Sequence, residues 1–150
     1  MNPYANKFNQ YQDTQIATAS REQILIMLYD GAIRFVRQAV FAIEAGDRVK
    51  KGEGVNKAIA IVTEFRNTLD HEVGGEIAAN LDALYDYMVR EMIKANSRHD
   101  VKPLLVVEKM LTELRDTWKQ AVDIARAEAA GPLTGKTAAN GDYRPLSTSL

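Results

Sequence analysis

Between Ser20 and Phe35 the chain carries six apolar residues in succession, Ile24, Leu25, Ile26, Met27, Leu28 and Tyr29, inside a segment that otherwise has the pattern of an amphipathic helix. Six residues cover more than one turn of about 3.6 residues, so every side of that turn is apolar. A helix packed on a single core needs apolar positions only at i, i+3, i+4 and i+7, and the surplus face has to be covered by something else. In a chain of 150 residues the candidates are its own N-terminal arm, a second copy of the chain, or a partner.

The pattern along the chain predicts an all-α protein, an antiparallel up-down four-helix bundle with a flexible N-terminal arm and a disordered C-terminal tail. Residues 1–18 carry Tyr4, Phe8, Tyr11 and Ile16 among Asn, Gln and Thr with no period, which describes an arm. Ser20 followed by Gln23 fits a capping box, in which the two side chains satisfy free backbone N–H groups at a helix start. The first helix then runs to about Ala45 with a core stripe of Leu25, Leu28, Ala32, Phe35, Ala39 and Ile43, and Gly46-Asp47 ends it. Mid-helix Gly31 costs helix stability and marks a close helix contact or ligand approach.

A second helix is expected from about Val55 to His71, with Ile59, Val62, Phe65 and Leu69 at helical spacing. Gly52 and Gly54 each weaken a helix by about 1 kcal/mol relative to Ala, which leaves its start undefined. Gly74-Gly75 closes this segment. The third helix spans 76–97 with a stripe of Ile77, Leu81, Leu84, Tyr85, Met88 and Met92. Asp100 suits the N-cap of a fourth helix, because Pro103 falls in the first turn, where its missing N–H costs nothing. That helix shows Leu104, Val107, Leu111, Leu114, Trp118, Ala121 and Ala125 and fades near Ala130. Residues 131–150 are rich in Gly, Pro, Thr and Ser without an apolar period and form the tail. Four helices joined by short loops force neighbours to run antiparallel, so residues 19–130 make the bundle.

Composition narrows the function. A formal net charge of −1 with interspersed signs gives no footprint for nucleic acid. The absence of cysteine suits a reducing compartment, no run of about 18 apolar residues offers a membrane span, and Met1–Asp13 lacks a signal-peptide apolar region. The expectation is a cytoplasmic protein with no membrane insertion. A di-iron carboxylate bundle needs Glu-x-x-His motifs, and the chain has none. Its two histidines, His71 and His99, fall at helix ends, where capping and dipole reasons account for them. Asp70, His71 and Glu72 are adjacent and so point to different faces of a helix. Gly74-Gly75 follows a helix and not a strand, which excludes a phosphate loop of the P-loop or Rossmann type. No metal, cofactor or catalytic residue is expected, and the chain is not read as an enzyme. Tyr85, Met88 and Met92 are either core or part of a groove that receives a partner helix, since Met repacks around many shapes.

Several short pieces, in order, resemble the FliS family of flagellin-specific export chaperones. They are Thr18-Ala19-Ser20 before Glu22-Gln23, Leu28 to Ala32, Ala45-Gly46-Asp47, Thr68-Leu69-Asp70, Gly74 to Ala78, and Leu84 to Met88 with Ala95-Asn96. Together they cover about residues 11–118. The family usually has proline after the Ser N-cap, where Arg21 stands here; this alters a helix-start preference and not function. The tail matches nothing associated with the family.

The resemblance implies a bundle that binds the disordered C-terminal segment of flagellin, prevents premature polymerisation, and aids delivery to the flagellar type III export apparatus. An export-gate component is a further candidate partner, and the chain itself is expected as a monomer or weak homodimer. Candidate partner-binding residues are Leu25, Tyr29, Ile59, Val62, Leu81, Tyr85 and Met88, with Tyr11 and Ile16 of the arm covering part of the groove when flagellin is absent. The rival reading is a self-associating helical bundle, in which the second apolar face makes a homodimer and flagellin has no role.

Overall fold

The structure, a computed structural model, describes residues 20–134. They form four helices: α1 (Arg21–Ala45), α2 (Arg48–Asn67), α3 (His71–Arg98) and α4 (Val101–Thr134). Each boundary has a local chemical cause. The expected capping box opens α1: Ser20 Oγ accepts from the Gln23 amide at 3.2 Å, and the Ser20 amide donates to Gln23 Oε1 at 3.0 Å. Gly46 closes it in the left-handed region at φ 75°, where a residue with a Cβ is strained.

Asp47 then accepts from the Lys50 amide and starts α2 at once, so the helix contains both Gly52 and Gly54 and begins well before Val55. It also ends earlier than the apolar period suggests. Thr68 is its C-cap, and the Asp70 carboxylate accepts from the amides of Glu72 and Val73, which assigns His71 to the next helix. The expected break at Gly74-Gly75 is present as a kink within α3, with Gly75 at φ 50°, ψ −121°. Asp100 accepts from the Lys102 amide at the start of α4, and Pro103 is buried in its first turn.

Side-chain pairs fix the directions of the helices. Going up α1 from Asp30 to Arg37, the partners on α4 go down from Arg115 to Glu108, so these helices are antiparallel. On α2, Lys51 meets Asn96 and His99 while Arg66 meets Asp82 and Asp86 of α3, again antiparallel. With Gln38 of α1 reaching the Lys50 carbonyl of α2, the order is up-down-up-down.

The chain divides into two compact units, at Arg115 and Asp116. The core of the first is formed by Tyr29, Ala32, Ile33, Val36 and Ala39 of α1, Val55, Ala58, Val62 and Phe65 of α2, Ala78, Tyr85, Met88 and Met92 of α3, and Leu104, Val107 and Leu111 of α4. In the second, residues 116–134 are helical, past the expected fade near Ala130, with Trp118 and Val122 half-buried and Ile124 exposed.

The α1 stripe is rotated from the expected one. Leu28 is exposed and Phe35 and Ile43 are half-buried, while Ile33, Val36 and Ala42 lie inside. The cause is a close crossing with α2: a Cβ at Gly54 would stand 2.7 Å from the Phe35 carbonyl oxygen and 3.1 Å from the Ala39 nitrogen. Such proximity turns the alanines inward and moves Phe35 to the edge, where the Lys57 ammonium lies 5.3 Å from its ring centre. Gly31, by contrast, is not the tight point. A Cβ there would meet Ile61 Cδ1 at 3.6 Å, an ordinary contact.

Candidate functional site

The candidate binding residues separate into three groups. Tyr29, Val62 and Met88 have no solvent exposure and Tyr85 has 2%. All four lie in the core and present no surface in this conformation. Leu25, Ile59 and Leu81 are half-buried at the margin of the core. Tyr11 and Ile16 lie outside the described residues.

Two of the four interior residues, Tyr29 and Tyr85, have a clear structural task. The Tyr29 and Tyr85 hydroxyls hydrogen-bond across the core from α1 to α3. Phe65 of α2 stacks on Tyr29 with ring centres 4.4 Å apart and lies 5.5 Å from Tyr85 at a tilt. Three helices are therefore joined by one aromatic cluster whose polar atoms satisfy each other, as buried hydroxyls require. Burial, and then the bond to Tyr29, push the Tyr85 phenol far above its ordinary range, so it remains a neutral hydrogen-bonding group.

Exposed apolar side chains stand beside this core. Leu28 is 38% exposed, Ile77 71%, Leu84 39% and Tyr87 39%. Leu28, Ile77 and Leu84 each precede an inward-facing residue, Tyr29, Ala78 and Tyr85 respectively. One residue is about 100° of rotation on a helix, which carries each from the core to its flank. With half-buried Ile24 to Met27 on α1 and half-buried Leu81 on α3, they make two apolar strips, one on each helix. The uninterrupted run of six apolar residues was the sequence signal for the α1 strip. For α3 the signal was the width of the stripe, because positions 77 and 84 cannot share the inward direction of 78 and 85.

Polar side chains hold α3 against α2. Arg66 Nε donates to Asp82 at 2.9 Å and a terminal nitrogen donates to Asp86 at 3.1 Å, while Arg90 pairs with Asp86 at 2.9 Å. The hydrogen bond from Arg66 holds the Asp82 carboxyl below the usual carboxylate range, against an opposing effect of desolvation. At the α1–α2 turn, Lys51 Nζ donates to the Asn96 carbonyl at 2.8 Å and to His99 Nδ1 at 2.7 Å. His99 is the α3 C-cap at φ 52°, ψ 41°. Burial lowers both the Lys51 ammonium and the His99 imidazolium, and the Arg48 charge adds to each.

Among the described residues no group of three or more His, Cys, Asp or Glu could hold a metal ion. No described helix is long and apolar enough to cross a membrane. Fold and surface together define, among the described residues, an all-α bundle with exposed and half-buried apolar strips beside a closed aromatic core.

A family model described as "Flagellar protein FliS" matches residues 4–125. Curated relatives agree with it. The flagellar secretion chaperone FliS of Bacillus subtilis (strain 168) is 37% identical over 84% of this chain and 93% of its own length. That of Salmonella typhimurium is 42% identical over 72% of this chain and 81% of its own, and that of Vibrio cholerae is 39% identical over 72% and 79%. The chain belongs to the FliS family of flagellar secretion chaperones.

Proposed function

We propose that this protein binds flagellin through its disordered C-terminal region in the cytoplasm, prevents its premature polymerisation, and assists its delivery to the flagellar type III export apparatus. The observation that carries the reading is apolar surface exposed on α1 and α3 of a folded bundle, in a family whose curated relatives are named flagellar secretion chaperones. A flagellin terminus needs an apolar partner to form its coiled core, and a substitute surface of the same character blocks self-assembly without chemistry. Ordering a disordered segment costs the complex about 2–5 kcal/mol or more, so a long, wrapped interface suits it better than one pocket.

On this reading Leu25, Ile59 and Leu81 touch the partner, together with exposed Leu28, Ile77, Leu84 and Tyr87. Tyr29, Val62, Tyr85 and Met88 support that surface from beneath, and Tyr11 and Ile16 of the arm compete with the partner for it. Calorimetric titration with a peptide covering the C-terminal region of the same organism's flagellin, beside a scrambled control, tests the proposal. Saturable one-to-one binding with a negative heat-capacity change is the expected result. A folded protein that ignores the native peptide, and is a stable dimer by light scattering, would return the reading to a self-associating bundle. Deleting residues 1–17 is expected to change the affinity; an unchanged affinity removes the arm from the account.

A further inference from the structure

At the end of the bundle where α1 turns into α2, Ala42, Ile43, Gly46, Asp47, Arg48, Lys51 and His99 line a half-open cavity of about 220 Å³. Lys51 is only 5% exposed, and its ammonium has two neutral partners, the Asn96 carbonyl and the His99 ring. No carboxylate among the described residues lies within salt-bridge distance of Lys51 or Arg48, and the one acid in the lining, Asp47, uses its carboxylate to cap the Lys50 amide. Burying a cation without a counter-charge is costly, and the cost falls if an anion enters. Part of the lining has a different character: Ala42 and Ile43 contribute hydrocarbon surface.

We infer that this cavity is a binding site for a small aliphatic carboxylate, its oxygens toward Lys51 and Arg48 and its hydrocarbon part against Ala42 and Ile43. Inorganic phosphate fits less well, because its remaining oxygens would face the apolar part of the lining without donors. The volume is several times the roughly 30 Å³ that one water occupies in the liquid, enough for a carboxyl and a short branched chain. Such a group comes either from a free short-chain acid or from the carboxyl end of a peptide with an apolar last residue.

The test is an amide-resolved NMR titration of the full chain at constant ionic strength with four probes: isobutyrate, N-acetyl-leucine, N-acetyl-leucine amide and inorganic phosphate. Both carboxylates are expected to give saturable shifts at Gly46 to Lys51 and at His99, and the neutral amide none. Tighter binding of N-acetyl-leucine assigns the site to peptide termini, and tighter binding of isobutyrate to free acids. Arg48→Gln, an exposed change that leaves the fold intact, should weaken both carboxylates by about tenfold or more. Lys51→Met should abolish the shifts in a protein whose circular dichroism is unchanged. Equal binding of the amide, phosphate binding as tight as the carboxylates, no saturable shift, or carboxylate binding unaffected in a folded R48Q variant would each overturn the inference.

Discussion

A hydroxyl in a protein interior stabilises only while it has a partner, and the Tyr29–Tyr85 bond makes that dependence measurable. Replacing Tyr29 with Phe removes the partner of the buried Tyr85 hydroxyl and is expected to cost about 1–3 kcal/mol in urea denaturation. The double variant Y29F/Y85F should lose less than the sum of the two single changes, since neither hydroxyl is then present; strict additivity would mean that the bond is not a coupled unit. His99 carries a second residue-scale consequence. Its ring accepts from Lys51, so it has to be neutral, and burial lowers its folded pKa below the ordinary value near 6.5. Between those two values the unfolded chain binds more protons than the folded one. The His99 contribution is therefore complete above about pH 6.5 and is lost as pH falls toward the depressed folded value. His99→Asn keeps a residue tolerant of the left-handed cap and an acceptor for Lys51. Melting temperatures compared at pH 7.5 and 5.5 should fall less in the variant than in the parent, and equal losses would show that His99 is not the responsible group.

Glycines within one helix can have opposite effects, and α2 contains such a pair. Gly54 faces the backbone of α1, whereas a Cβ at Gly52 would meet nothing within 4 Å. Gly52→Ala should stabilise the protein by about 0.5–1 kcal/mol through helix propensity alone. Gly54→Ala brings the same propensity but forces α1 and α2 apart, with a net loss of about 1–3 kcal/mol on thermal or chemical denaturation. The same pair explains which features of the helices were legible in the sequence. Caps are short-range chemistry, so Ser20 with Gln23, Gly46 and Asp100 could be read from the residues themselves. The inward face of α1 could not, because in a turn that is apolar all round only the distance to a neighbouring helix decides which side is inside. Gly54 sets that distance, and local propensity counted it only as a weak helix former. The end of α2 departs from the apolar period for a related reason: Leu69 continues the period, but the Asp70 carboxylate takes the next free amides. The candidate site shares this ambiguity, so Tyr29, Val62, Tyr85 and Met88, chosen by spacing, lie inside, while Leu25, Ile59 and Leu81 lie at the margin.

At the scale of the whole molecule, charge and apolar surface make separable predictions about how a partner is held. The chain has 19 basic and 20 acidic side chains, a net charge of −1, so no strong single-sign field draws an oppositely charged partner. The described ion pairs also occupy many of these groups within the bundle, including Arg37 with Glu108, Arg66 with Asp82 and Asp86, and Arg115 with Asp30. If the exposed strips on α1 and α3 hold flagellin, affinity comes from apolar burial, which salt does not screen. The dissociation constant for the flagellin C-terminal peptide should then change by less than about threefold between 50 and 500 mM sodium chloride. A rise of tenfold or more in that constant would move the interface from the strips to charged surface. The matching variants separate surface from core. Leu84→Glu places a charge on a flank already 39% exposed, so helicity and melting should hold while binding is lost. Val62→Glu places the same charge at a fully buried position, where it has neither water nor a partner, and the fold itself should fail. Should L84E bind as the parent does, with the salt response still flat, the contact lies on apolar residues away from the α3 strip, and the α1 run from Ile24 to Leu28 is the next surface to change.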